Sequence, residues 1–161
     1  MLRHAFLADL PRIVEIYNQT IPGRLVTADL EPVTVESRVS WFQSHNPEKR
    51  PLWVWEVDGN ITAWMSFRDF YGRPAYRHTA EISIYIHEDF RSQGLGKQLL
   101  AYALEQCPKL EIKTLLGFIF GHNIPSIKLF QNFGFEEYAH LPEVALLDDD
   151  WRDLIILGKK I

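Results

Sequence analysis

Between Thr79 and Pro108 the hydrophobic period changes once, and the change falls on a pair of glycines. Ala80, Ile82, Ile84 and Ile86 alternate with Glu81, Ser83, Tyr85 and His87, which is the two-residue period of a strand. Leu95, Leu99, Tyr102 and Ala103 then recur at helical spacing up to Pro108. The segment that joins the two, Arg91-Ser92-Gln93-Gly94-Leu95-Gly96, must leave the sheet and start a helix within a few residues. Thr114 to Phe120 follows as a strongly apolar strand. A strand–loop–helix–strand unit of this kind predicts an α/β or α+β layer in which helices cover a sheet.

The glycine loop also has a chemical reading. Glycine reaches backbone angles closed to other residues and lets a ligand approach the main chain. Between a strand and a helix, such a loop directs free N–H groups and the positive end of the helix dipole at one point, which suits an anion. Two known phosphate loops do not fit. A P-loop needs Gly-Lys-Ser/Thr, but Gly96-Lys97 is followed by Gln98. A dinucleotide fingerprint needs a glycine three residues after Gly96, where Leu99 stands. Taken alone, the pair reads first as an ordinary turn before a helix.

The remaining chain divides into short elements with no repeat or linker, and is expected to form one domain over residues 1–161. Ala5 to Asn18 has helical spacing, with Asp9 as an N-cap and Pro11 in the first turn. Thr34 caps a second helix that ends at His45-Asn46-Pro47. Leu52–Val57, Asp58-Gly59-Asn60 and Ile61–Phe67 read as strand, turn and strand. Trp53, Val54, Trp55, Ala63, Trp64 and Met65 make both faces of that pair apolar, as in a sheet covered on both sides. Arg68 to His78 is a polar, aromatic loop. Pro125 opens a short helix, Ser126 to Phe133, which Gly134 stops. Phe135–Leu141 and Trp151–Leu157 are expected to close the sheet.

The formal net charge is −4, and Lys and Arg are scattered, so no basic face for nucleic acid is expected. No run approaches the roughly 18 apolar residues of a membrane span, and the N-terminus is too soon interrupted by Asp9 and Pro11 for a secretory signal. Cys107 is the single cysteine, which excludes an internal disulfide and is consistent with a reducing cytoplasm; it is expected to be a buried structural thiol. Asp148-Asp149-Asp150 reads as a solvated loop, and His78, His87 and His122 lack ligand spacing, so no metal is expected.

Several motifs in order resemble the GNAT superfamily of N-acetyltransferases. Arg91-x-x-Gly94-x-Gly96 is similar to its pyrophosphate loop, and Asn123-x-x-Ser126-x-x-Leu129-Phe130-x-x-x-Gly134-Phe135 to its second cofactor segment. Arg73-Pro74-Ala75-Tyr76-Arg77-His78-Thr79-Ala80-Glu81, with Ala8-Asp9-Leu10 and Ile16-Tyr17-Asn18, resembles the phosphinothricin acetyltransferase branch, which acetylates amino-acid-like amines. The resemblance spans nearly the whole chain. It implies a mixed sheet of about six to seven strands flanked by about four helices, with acetyl-CoA between two splayed parallel strands, Thr79–His87 and Thr114–Phe120.

The resemblance further implies that Ile84, Tyr85 and Ile86 pair with the pantetheine arm. Ser92, Gln93, Gly94, Leu95, Gly96 and Lys97 would cradle the pyrophosphate, and Asn123 and Ser126 would touch the cofactor, although Asn123 is also a good helix cap. Glu81 corresponds to the branch's base, needed because an alkylamine with a pKa near 10.4 is almost wholly protonated at neutral pH. Arg73 and Arg77 could clamp an acceptor oxyanion, and Thr20 to Pro32 would line the same pocket. Gly23, Arg24 and Leu25 do not follow the branch pattern closely, so the acceptor is left open among phosphinothricin, methionine sulfone, methionine sulfoximine and related amines. Phe130 stands where many members carry a proton-donating Tyr, which leaves Tyr85, Tyr138 or water to protonate the thiolate. The alternatives are a peptide or protein N-acetyltransferase, or a CoA-binding module without catalysis. The paired tryptophans and the apolar last strand hint at a homodimer.

Overall fold

The computed structural model describes residues 1–161. One seven-stranded mixed sheet runs through the molecule in the order β1-β2-β3-β4-β5-β7-β6. The strands are β1 (Leu2–His4), β2 (Leu52–Val57), β3 (Asn60–Asp69), β4 (Thr79–Ile86), β5 (Thr114–Phe120), β6 (Glu136–Leu147) and β7 (Asp150–Lys160). The helices are α1 (Leu10–Asn18), α2 (Val39–Gln43), α3 (Leu95–Gln106) and α4 (Ile124–Asn132). All neighbouring strands are antiparallel except β4 and β5. The parallel exception is where α3 crosses over between two strands, as the change of period at the glycine loop anticipates.

Both sheet faces are buried. On one, Ala63, Met65, Phe67, Ala80 and Ile82 pack against Leu95, Leu99, Leu100 and Ala103 of α3 and Phe130 of α4. On the other, Ile13, Ile16 and Tyr17 of α1 pack against Leu52, Val54, Ile61 and Trp64. Alternation along β3 and β4 therefore serves two cores rather than one core and solvent. Cys107 lies in the α3-side core with no exposure, and burial pushes its thiol pKa up, which leaves it inert.

Several elements differ in extent from expectation. The Ala5–Asn18 segment opens as a 3₁₀ turn, Leu7–Asp9, before α1. The Asp9 carboxylate accepts from the Phe6 N–H and from Arg3 (each 2.7 Å) and makes no bond to the helix's own N–H groups. It fixes the chain entering the helix instead of capping α1. Thr34 does act as a cap, with Oγ1 accepting from the Ser37 N–H at 3.1 Å. β1 is three residues long with one apolar side chain, too little pattern to read, and joins the sheet by backbone pairing with Val54 and its neighbours. β6 runs on from Leu141 to Leu147 because register shifts let it stay paired with β7 past Pro142.

One close approach sets the spacing of β5 and α4. A Cβ placed on Gly117 would lie 2.7 Å from Cε1 of the buried Phe130 ring. Gly117→Ala should therefore overpack the core and cost about 1–3 kcal/mol, read as a lower urea midpoint, and Phe130→Leu in the same chain should recover most of the loss.

Candidate active site

β4 and β5 pair only over Thr79–Glu81 and Thr114–Leu116. Beyond Glu81 and Leu116 each strand stays bonded to its outer neighbour, β4 to β3 and β5 to β7, so the sheet opens into a V. The His87 N–H donates to the Thr62 carbonyl at 2.9 Å. By antiparallel alternation Tyr85, Ser83 and Glu81 also bond β3, while Ile82, Ile84 and Ile86 turn their N–H and C=O groups into the gap. Ile84 and Ile86 thus offer main-chain groups to a ligand lying there. Tyr85 offers its side chain on the other face. Arg91 Nε donates to the Ile86 carbonyl at 3.1 Å, which ties Arg91 to the strand end.

The glycine loop closes the mouth of the V. Gly94 has φ of +81° and Ser92 of +60°, so the main chain turns sharply before α3. None of the N–H groups from Ser92 to Lys97 meets an acceptor in the chain; the first that does is that of Gln98, at 3.3 Å from the Gly94 carbonyl. Six successive donors are thus left free at the start of a 12-residue helix, whose dipole reinforces them. A phosphate ester fits such a cradle without needing a side-chain cation. Gly96 packs against α4: a Cβ there would lie 3.2 Å from Leu129 Cδ2.

Asn123 caps α4. Its Oδ1 accepts from the Ser126 N–H (3.3 Å) and its Nδ2 donates to the Leu25 carbonyl (3.3 Å). Both polar atoms of this buried side chain are thereby used, and Asn123 joins α4 to the segment before the cavity. Ser126 is half-buried in the first turn of α4. Phe130 points into the core, with its ring centroid 4.8 Å from that of Phe135.

On the α1 side of β3 and β4 lies a cavity of about 600 Å³. Its floor is three cross-strand pairs: Trp64 with Tyr85, Ser66 with Ser83, and Arg68 with Glu81. Trp64 and Tyr85 stack at 4.5 Å, and Tyr17 meets Tyr85 edge-on at 5.1 Å. Burial holds the Tyr85 phenol well above its ordinary pKa, so it stays protonated. The Ser66 hydroxyl is buried and has no partner in the chain. Phe118 and Phe120 of β5 and the β6–β7 hairpin wall the far side.

Residues 26–29 close the roof, as the sequence reading of Thr20 to Pro32 implied. The Tyr17 hydroxyl bonds both Thr27 and Asp29, and Arg38 joins Asp29 at 3.1 Å while lying over the Tyr17 ring at 4.9 Å. Arg24 points outward instead and pairs with Asp148 at 3.0 Å.

Glu81 is half-buried, lines this cavity and stands at the last register position before the strands part. Desolvation raises its carboxyl pKa, and the nearby charge of Arg68 opposes part of that rise. A carboxylate whose pKa is raised is a stronger base, as amine deprotonation requires. Arg73 and Arg77, by contrast, lie in the exposed loop before β4 and are not among the cavity's lining side chains. The Pro74–Tyr76 turn carries them to solvent. The guanidinium groups that do reach the cavity, Arg38 and Arg68, were not singled out. Arg68 was legible, because it shares the parity of Trp64 and Ser66; Arg38 depends on how the irregular 20–38 segment folds back. No group of three or more His, Cys, Asp or Glu side chains is arranged to hold a metal ion, and no helix is long and apolar enough to cross a membrane.

Comparison with known proteins gives a consistent set of relatives. The profile of the acetyltransferase (GNAT) family matches residues 10–135. The chain is 53% identical over 99% of its length to YwnH of Bacillus subtilis (strain 168), provisionally named a phosphinothricin acetyltransferase, and covers 98% of that protein. It is 30% identical to the L-amino acid N-acyltransferase MnaT of Escherichia coli (strain K12), covering 97% of this chain and 91% of that one. Among solved structures, a GNAT superfamily phosphinothricin acetyltransferase from Sinorhizobium meliloti in complex with AcCoA superposes with a TM-score of 0.93 at 26% identity, over 100% of this chain and 88% of the other.

Proposed function

The chain belongs to the acetyltransferase (GNAT) family, and on that premise we propose that it transfers the acetyl group of acetyl-CoA to the primary amine of a small amino-acid-like acceptor. The observation that carries this reading is the position of Glu81. Its half-buried carboxylate, raised in pKa, faces a 600 Å³ cavity at the apex of the V. The relatives named for phosphinothricin and L-amino acids support the acceptor class, and the AcCoA-bound relative supports the cofactor.

Acetyl-CoA, when bound, supplies an activated thioester carbonyl. The chain's part is binding, orientation and proton transfer. The N–H groups of Ser92 to Lys97 take the pyrophosphate, and the main chain of Ile84 and Ile86 takes the amide-bearing arm as a strand would. Asn123 and Ser126 hold the start of α4 against this arm, Asn123 through its capping bonds. Glu81, directly or through water, takes a proton from the ammonium, the nitrogen lone pair so freed forms the new N–C bond, and the nitrogen gives its second proton to water as the amide forms. The C–S bond then breaks and the thiolate takes the pair. With a thiol pKa near 8.5, this leaving group tolerates the absence of a proton donor at Phe130.

The roofed cavity favours a small acceptor over a peptide. Thiol release from acetyl-CoA should rise at least tenfold over the acceptor-free rate with one or more of phosphinothricin, methionine sulfone, methionine sulfoximine and common L-amino acids, a gain of about 1.4 kcal/mol or more. Release only with peptides, or none despite acetyl-CoA binding, would overturn the reading. We assign the protein to a reducing cytoplasm on its single buried cysteine. A homodimer is supported by Val144, Leu146 and Trp151, exposed on the β6–β7 hairpin at the sheet edge, and sedimentation would report a single-chain mass if it is wrong.

A further inference from the structure

The two guanidinium groups of the cavity are held differently. Arg38 is engaged by Asp29 and by the Tyr17 and Trp41 rings. Arg68 lines the same cavity and forms no hydrogen bond or ion pair with another side chain. Its cross-strand partner is Glu81. The two side chains rise from one face of the sheet at neighbouring positions, close enough for the charge of one to act on the other, yet they do not join. A cation and an anion that share a cavity without pairing leave room for a molecule carrying the reverse order of charges. An α-amino acid has that order, with ammonium and carboxylate on one carbon. The guanidinium fork matches a carboxylate in two bonds, which Lys could not reproduce. The next pair inward adds the unpartnered, fully buried Ser66 hydroxyl, so the floor beside Arg68 is polar and unsatisfied.

We propose that Arg68 binds the acceptor's α-carboxylate, and so selects α-amino acids over simple amines while turning the amine toward Glu81. The proposal rests on the acceptor reading above and names the residue that sets its specificity. It replaces the exposed Arg73 and Arg77, which the fold keeps out of the cavity. Arg68 is exposed at the cavity mouth and supports no core contact, so its replacement leaves the fold intact.

The test compares kcat/KM, in mildly alkaline buffer, for the panel amino acid acetylated fastest and for the same molecule lacking its carboxylate. Arg68→Gln should reduce kcat/KM for the amino acid by about tenfold to a hundredfold, mostly through KM, and leave the simple amine within about twofold. The carboxylate preference should thus collapse, acetyl-CoA binding should be unchanged, and Arg68→Lys should restore only part of the preference. Arg73→Gln and Arg77→Gln should keep it. If Arg68→Gln leaves the preference intact, or if it falls with Arg73 or Arg77 instead, Arg68 is not the anchor although acetylation stands. If the wild-type protein acetylates no amino acid, the acceptor reading itself fails and the proposal with it.

Discussion

Glu81→Gln is expected to lower kcat/KM at neutral pH by about a hundredfold to ten-thousandfold, the usual contribution of a positioned general base. The deficit should shrink as pH rises, because an acceptor amine of pKa near 10.4 increasingly arrives without its proton. Stability should move the other way. Burial raises the native Glu81 pKa above its unfolded value, so the native state binds this proton more tightly. The stability contributed by that proton is present in acid and is lost as pH rises through the native pKa. Glutamine keeps the neutral shape at every pH. The variant should therefore melt at or above the wild-type temperature at neutral pH, and the two should converge below the ordinary carboxyl range. Loss of activity without loss of stability would separate a catalytic carboxylate from a structural one. Unchanged turnover at neutral pH would remove Glu81 from the mechanism.

That separation depends on local pattern, and local pattern is what the sequence carried best. The alternation of Thr79 to Ile86 and the helical recurrence after Leu95 are properties of a few neighbouring residues, and both elements stand within a residue of expectation. Gly134 likewise ends α4 in the left-handed conformation that its position implied. What local pattern could not supply was the partner of each element. β1 is held by backbone bonds to β2, and β6 continues past Pro142 because register shifts keep it paired with β7. Neither fact leaves a trace in hydrophobic period. The same limit divides the site residues. Glu81 and the glycine loop are adjacent to recognisable motifs, whereas Arg38 is brought to the cavity by the irregular segment between α1 and α2. Asn123 illustrates the converse: its motif was legible, but only the fold reveals that both ends of its amide are taken by Ser126 and Leu25. Arg73 and Arg77 lie outside the cavity for a related reason, since charge and motif position do not report which way a loop turns.

Gly94→Val should weaken CoA binding at least about a hundredfold while leaving pantetheine binding within about twofold. At φ of +81° a β-branched residue is strained by about 1–3 kcal/mol or more, and open space around the position means that the strain is conformational rather than a clash. The loop escapes by moving φ to a negative value, which swings the peptide planes on either side of residue 94. The N–H groups from Ser92 to Lys97 then no longer converge, and a cradle made only of main-chain donors has no side chain to compensate. Pantetheine lacks the pyrophosphate and, in the proposed binding mode, lies along the exposed edge of β4, so it should not register the change. Lys97→Ala offers the contrast: an exposed cation at the rim adds a salt-screened attraction, and its loss should cost only a few-fold, less at high ionic strength. Ser92→Gly should be neutral or slightly favourable, because it relieves a positive φ of 60° without altering the path. Equal weakening of CoA and pantetheine by Gly94→Val would mean that the substitution had disturbed β4 or α3 at large. A stronger effect from Lys97→Ala than from Gly94→Val would mean that the pyrophosphate is held by charge on a side chain and not by the shape of the loop.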